Sequence, residues 1–178
     1  MLGRISSLFT VLILTTVFLY LFAWLHLLPG SFYRIDQSDV AGPPGRIIRT
    51  EPLSGAPAGA EASRILYVST DHHGKLVAVS GVIVVPSGPV PEGGRPVYAW
   101  AHPTTGISDR CAPSLNPDVL EKIHGLEGLL AKGMVVVATD YPGLGTPGPH
   151  PYLVGESEGH SILDSVRAAR NFKQARAG

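Results

Sequence analysis

The chain has 178 residues, enough for one ordinary domain with a core of its own. Lysine plus arginine and aspartate plus glutamate both number 14, so the formal net charge is zero, and no basic cluster marks a nucleic-acid surface. Hydrophobic residues make up 44%, but the excess is concentrated at the N-terminus.

Between Ile5 and Tyr33 there is no Asp, Glu, Lys or Arg, and Leu8 to Leu28 reads LFTVLILTTVFLYLFAWLHLL. About 20 apolar residues span a bilayer as a helix. Arg4 and the terminal amine precede the run, and Arg34 behind it is offset by Asp36 and Asp39. The positive-inside rule then places the N-terminus in the cytoplasm and the rest outside. The rival is a cleaved signal peptide, whose apolar region is shorter and ends in small residues of the A-x-A kind. Residues 1–33 are therefore expected to be a membrane anchor or a signal segment, with membrane contact through residues 5–28. Either choice means a membrane-anchored chain facing outward or a secreted one.

Residues 34–63 read as a Pro/Gly/Ala-rich tether. AGPPG (41–45) and SGAPAGAEAS (54–63) break regular structure. RIIRTEPL (46–53) between them suits a short extended segment. The folded unit is expected over 64–178.

From Arg64 the hydrophobic period becomes two. RILYVST (64–70) and LVAVSGVIVVP (76–86) flank DHHGK, a hairpin turn. His72 and His73 are read as solvated turn residues rather than metal ligands. PVYAWAH (96–102) is a third strand, and MVVVATD (134–140), apolar throughout, a fourth that is buried on both faces. NPDVLEKIHGLEGLLAKG (116–133) lies between them as one helix, capped by Asn116, with Pro117 in its first turn and Gly133 at its end. Its apolar stripe is Val119, Ile123, Leu126, Leu129 and Leu130. Strand, helix, strand makes a parallel βαβ unit. A Pro/Gly-rich loop follows Asp140, and Ile162, Leu163, Val166 and Ala169 mark a second amphipathic helix. The class is α/β, opened by an antiparallel hairpin.

Two motifs match enzyme signatures literally. Gly143 to Gly148 fits G-x-G-x-x-G, but Pro147, Pro149 and Pro151 forbid the helix that a pyrophosphate site needs there. It is read as a rigid loop, and no cofactor or metal is implied. Gly155-Glu156-Ser157-Glu158-Gly159 fits the G-x-S-x-G nucleophile elbow. Its lead-in strand is poor. The only later histidine and aspartate, His160 and Asp164, sit on the helix that Ser157 would open, too local to form a triad. Ser157 is therefore read as a helix-start residue, with Ser157 or Ser161 as the cap and Ser161-x-x-Asp164 as a capping-box pattern. No catalytic residue is assigned. Cys111, the only cysteine, is read as a small buried hydrophobe or as half of a disulfide whose partner lies outside these residues.

YAWAHPTTGISDRCAPS (98–114) delivers His102 and a Thr/Gly turn at a strand end. With SFYR, RILYVSTD, GKLVAVSGVIVVP, VVVATDYPGLGTPGPHPYLVGESEG and ILDSVRAAR, it resembles the secretory lipases, a branch of the α/β-hydrolases that acts on triacylglycerols and other esters. The resemblance runs from about Phe32 to Arg170. It implies an incomplete α/β-hydrolase sheet, about four strands and two main helices, behind an N-terminal transmembrane or signal helix. It implies an oxyanion-side turn at Thr104, Thr105 and Gly106, and an active-site rim at His102, Asp140 and Tyr141. Many members have glycine where this chain has Pro103, which removes one backbone donor. In the family the nucleophile stands on a fifth strand, with acid and base later still. The expectation is thus an exported or membrane-anchored lipase/esterase front half, truncated before the nucleophile elbow and inactive alone. Its partners would be a lipid or ester substrate and the missing C-terminal half, with no nucleic acid. VYAWA would present an open, apolar, aggregation-prone edge. The alternative is a non-catalytic, membrane-anchored binding module on the same fold.

Overall fold

The computed structural model describes residues 11–22 and 30–178. Residues 11–22 form a helix, α1, whose apolar side chains are exposed, Phe18 and Leu19 among them. The rest of the expected 5–28 segment lies outside the described residues. Among the described residues no helix is long and apolar enough to cross a membrane.

Five strands form one sheet: β1 (Ile47–Leu53), β2 (Ala60–Thr70), β3 (Leu76–Pro86), β4 (Val97–Ala101) and β5 (Val135–Thr139). Their order is β1-β2-β3-β5-β4. The hairpin is as expected: β2 and β3 pair antiparallel from Ala60↔Pro86 to Thr70↔Leu76. The Asp71 carboxylate closes its turn, accepting the amides of His73 and Lys75 at 2.8 and 2.9 Å. β5 runs antiparallel to β3 and parallel to β4. Gly81 makes the β3–β5 approach possible, because a Cβ there would lie 2.3 Å from the Ala138 carbonyl oxygen.

Residues 34–63 differ from the tether expected of them. Ile47–Leu53 is a full strand, paired antiparallel to β2 with a register shift between Ile47 and Arg49. β2 itself starts at Ala60. The cause is pairing with β2, and two arginines tie the turns before the strand to it. Arg49 donates to the carbonyls of Ser31, Phe32 and Arg34 at 2.9 to 3.2 Å, and Arg46 to those of Asp39 and Ala41. These bonds satisfy backbone that glycines and prolines leave without a ladder.

β5 is buried along its whole length because a helix covers each face. Val135 and Val137 meet Ala168, Ala169 and Phe172 at the end of α4 (Gly155–Asn171). Val136 and Ala138 meet Val119, Leu120, Ile123, Leu126 and Leu130 on the other side. The expected single helix over 116–133 is two short ones, α2 (Val119–Lys122) and α3 (Leu126–Ala131). Gly125 breaks it in the left-handed region, at φ +76°. The apolar stripe still faces the sheet, since both pieces keep their inward sides.

Candidate active site

Because β4 and β5 are parallel and end level, at Ala101 and Thr139, the residues that follow emerge side by side. His102 follows one strand and Asp140 the other. The His102 ring is buried: Nε2 is 3.1 Å from the Asp140 carbonyl and Nδ1 2.7 Å from the Pro103 carbonyl. Its ring centre lies 4.5 Å from that of Tyr141, the two planes tilted by 41°. The structure thus gathers His102, Asp140 and Tyr141 at one end of the sheet.

Asp140 enters this group through its carbonyl, not its carboxylate. Its oxygens accept from the Ser114 amide at 2.9 Å, from Ser80 Oγ at 2.6 Å and from the Ser114 hydroxyl. Tyr33 stands behind, its hydroxyl 2.8 Å from Ser114 Oγ. Burial pushes the Asp140 carboxyl above the ordinary aspartate value of 3.8, against the bonds from Ser114 and Ser80 that favour the charge. A carboxylate so enclosed anchors the 113–115 turn to the end of β5.

Tyr141 sits at φ +69°, a region non-glycine residues enter rarely and often near functional sites. Its amide donates to Thr139 Oγ1 at 3.2 Å. The Thr139 and Tyr67 hydroxyls are 2.6 Å apart, and Tyr67 donates to the Ser161 carbonyl at 3.0 Å. Burial raises the Tyr67 phenol well above its ordinary value, which keeps the proton that this bond needs.

Beyond His102 the chain turns outward. Pro103 has no donor, and its carbonyl holds the histidine ring. The amides of Thr104, Thr105 and Gly106 donate to no acceptor among the described residues. The Thr105 hydroxyl donates to the Cys111 carbonyl at 2.9 Å and fixes the turn. Gly106, at φ +128°, rests on Cys111, where a Cβ would come 2.4 Å from Sγ. Free amides on a fixed turn at a strand end suit a developing oxyanion. Beside them lies a cleft of about 740 Å³, whose lining includes Trp100, His102, Thr105, Cys111, Leu115 and Val119. Cys111 is partly exposed there rather than buried, and bonds from Ser108, helped by the Arg110 charge, lower its thiol pKa.

Ser157 does not join this group. It is the third residue of α4, fully buried, and its hydroxyl has no hydrogen-bond partner among the described residues. No histidine among the described residues bonds to it. The capping role expected of Ser157 or Ser161 is also corrected. The helix starts at Gly155, with the Val154 carbonyl accepting the amides of Ser157 and Glu158 at 3.0 and 3.2 Å. Ser161 instead donates to the Ser157 carbonyl at 2.8 Å. Asp164, expected in a capping box, accepts from Ser69 Oγ at 2.8 Å and pairs with Arg167. The G-x-G-x-x-G segment, residues 143–148, is a loop that ends well before α4.

The sequence model of the secretory lipase family matches residues 120–177. The resemblance read from the motifs is therefore met independently over α2 to the end of the chain. No curated protein matches. Among solved structures, the rice cell wall degrading esterase LipA from Xanthomonas oryzae superposes with TM-score 0.59 at 24% identity, over 77% of this chain and 40% of that one. Candida antarctica lipase A superposes with TM-score 0.61 at 20% identity, over 81% and 35%. These likenesses establish the α/β-hydrolase fold. The chain spans less than half the length of either structure.

Proposed function

We propose that this chain supplies the ester-facing front of an exported lipase- or esterase-type hydrolase. The observation that carries the reading is the turn after β4, where the amides of Thr104, Thr105 and Gly106 stand free beside an apolar cleft. Those donors would stabilise the charge that builds on an ester carbonyl oxygen under attack, and Pro103 costs nothing because the amides behind it remain available. His102 acts as a structural support for this turn, its ring buried with the Pro103 and Asp140 carbonyls beside its two nitrogens.

The nucleophile, acid and base would come from outside residues 1–178, so the chain alone is inactive. The burial of Ser157 supports this. So does the outer edge of β4, which pairs with no strand among the described residues, while Arg95 just before it forms a parallel bridge to Ala177. That bridge suits a further parallel strand along the edge, where the family resemblance puts the nucleophile. Export and membrane attachment are supported by the charge-free run from Ile5 to Tyr33 and the exposed apolar side chains of α1.

The test is a titration of the ¹⁵N-labelled chain with a short alkyl methylphosphonate monoanion, a stable mimic of the tetrahedral oxyanion. The amide signals of Thr104, Thr105 and Gly106 should move, and those of Val97 and Val135 at the far strand ends should not. Unmoved signals at 104–106 would remove the basis for the reading.

A further inference from the structure

The cleft beside the oxyanion-side turn has a second character that ester recognition does not require. Its floor is apolar, with Trp100, Leu115 and Val119, but its rim carries Arg110, Lys122 and His124, and no acidic residue lines it. Arg110 pairs with no acid among the described residues. Lys122 has only Asp118, 3.6 Å away, with both side chains about half exposed. A pair so open to water is weak and leaves the ammonium available to a ligand. A neutral ester would bury its chain against the floor and gain nothing from two cations. An amphiphile with a carboxylate head would use both.

We propose that this cleft binds the free carboxylate of a medium-chain fatty acid, chain on the floor and head at Arg110 and Lys122. The proposal rests on reading this end of the sheet as the ester site, and it adds selectivity for an anionic head. The chemistry is coherent with that reading, because hydrolysis of an ester at the turn would release such a carboxylate into the cleft that the cations also line. The cleft would then hold product, and fatty acid would compete with ester.

Trp100 lies in the cleft and Trp24 is the only other tryptophan, so the full chain carrying Trp24→Phe reports on this site by emission. Decanoate and 1-decanol are titrated below their micellar or solubility limits at low salt. Decanoate should bind about fivefold more tightly, the scale of two solvent-exposed ion pairs. The preference should fall below about twofold at 0.3 M salt, where screening acts within a few ångströms. Arg110→Gln with Lys122→Gln should abolish it, and Arg110→Lys with Lys122→Arg should restore it. All four replacements are on the surface, and unchanged circular dichroism verifies the fold. Equal affinity for the two ligands, no change in Trp100 emission, or a preference that survives the glutamine pair would each overturn the proposal. Failure of the ester reading shows separately, as phosphonate that leaves residues 104–106 unmoved while decanoate still binds.

Discussion

Asp140 shows how one buried side chain ties distant parts of the chain to the site. Its carboxylate joins Ser80 on β3 and Ser114 after β4, while its carbonyl meets His102. Because burial raises its pKa, the folded protein holds a proton that the unfolded chain releases near pH 3.8. The contribution to stability is therefore full below that value and is lost as pH rises through the folded value. Asp140→Asn should cost about 1–2 kcal/mol at pH 4, through weakened bonds from the two serines, and less at pH 7. Guanidinium unfolding of both proteins at the two pH values checks this, and a gap that widens with pH would contradict it. His102, Asp140 and Tyr141 were legible in the sequence because they follow apolar runs that read as strands. Ser80, Ser114, Tyr67 and Thr139 were not. The partners that tie them to other elements lie 26 to 94 residues away, and isolated serines and threonines carry no local signal of pairing.

At the level of elements, periodicity located β2 to β5, since each carries an apolar or alternating run of its own. β1 was only half visible. RIIRTEPL lies between two glycine-rich stretches, and its strand character comes from pairing with β2 rather than from propensity. The break between α2 and α3 was hidden for a related reason. Gly125 leaves the apolar spacing intact, so the stripe reads straight through it. β3 and β5 are drawn together at Gly81, where any side chain would strike the Ala138 carbonyl. Backbone on both sides cannot yield as a flexible side chain would. Gly81→Ala should destabilise by about 2–3 kcal/mol and lower Tm by roughly 5–10 °C. A melt by circular dichroism decides, and an unchanged Tm would mean that the two strands separate at little cost.

Across the whole molecule, one end of the sheet carries the groups on which the proposed ester site rests. Level parallel strands bring His102 and Asp140 together, the 113–115 turn is pinned to them, and the turn at 104–106, whose amides have no acceptor among the described residues, borders an apolar cleft with a cationic rim. The literal G-x-S-x-G takes no part in this group, because Ser157 is fully buried in the first turn of α4 and its hydroxyl has no hydrogen-bond partner among the described residues. Sequence reasoning separated the two because an elbow needs an acid and a base brought from elsewhere in the chain, and none follows. It erred on what Ser157 does instead, since the start of a helix depends on which carbonyl accepts first and not on which residue is the better cap. The most direct measurement is labelling of the folded chain with an alkyl fluorophosphonate, read by peptide mass spectrometry. A buried hydroxyl with no base beside it should stay unmodified, with any slow labelling unaffected by Ser157→Ala. Rapid, stoichiometric modification of Ser157, lost on unfolding, would contradict the account.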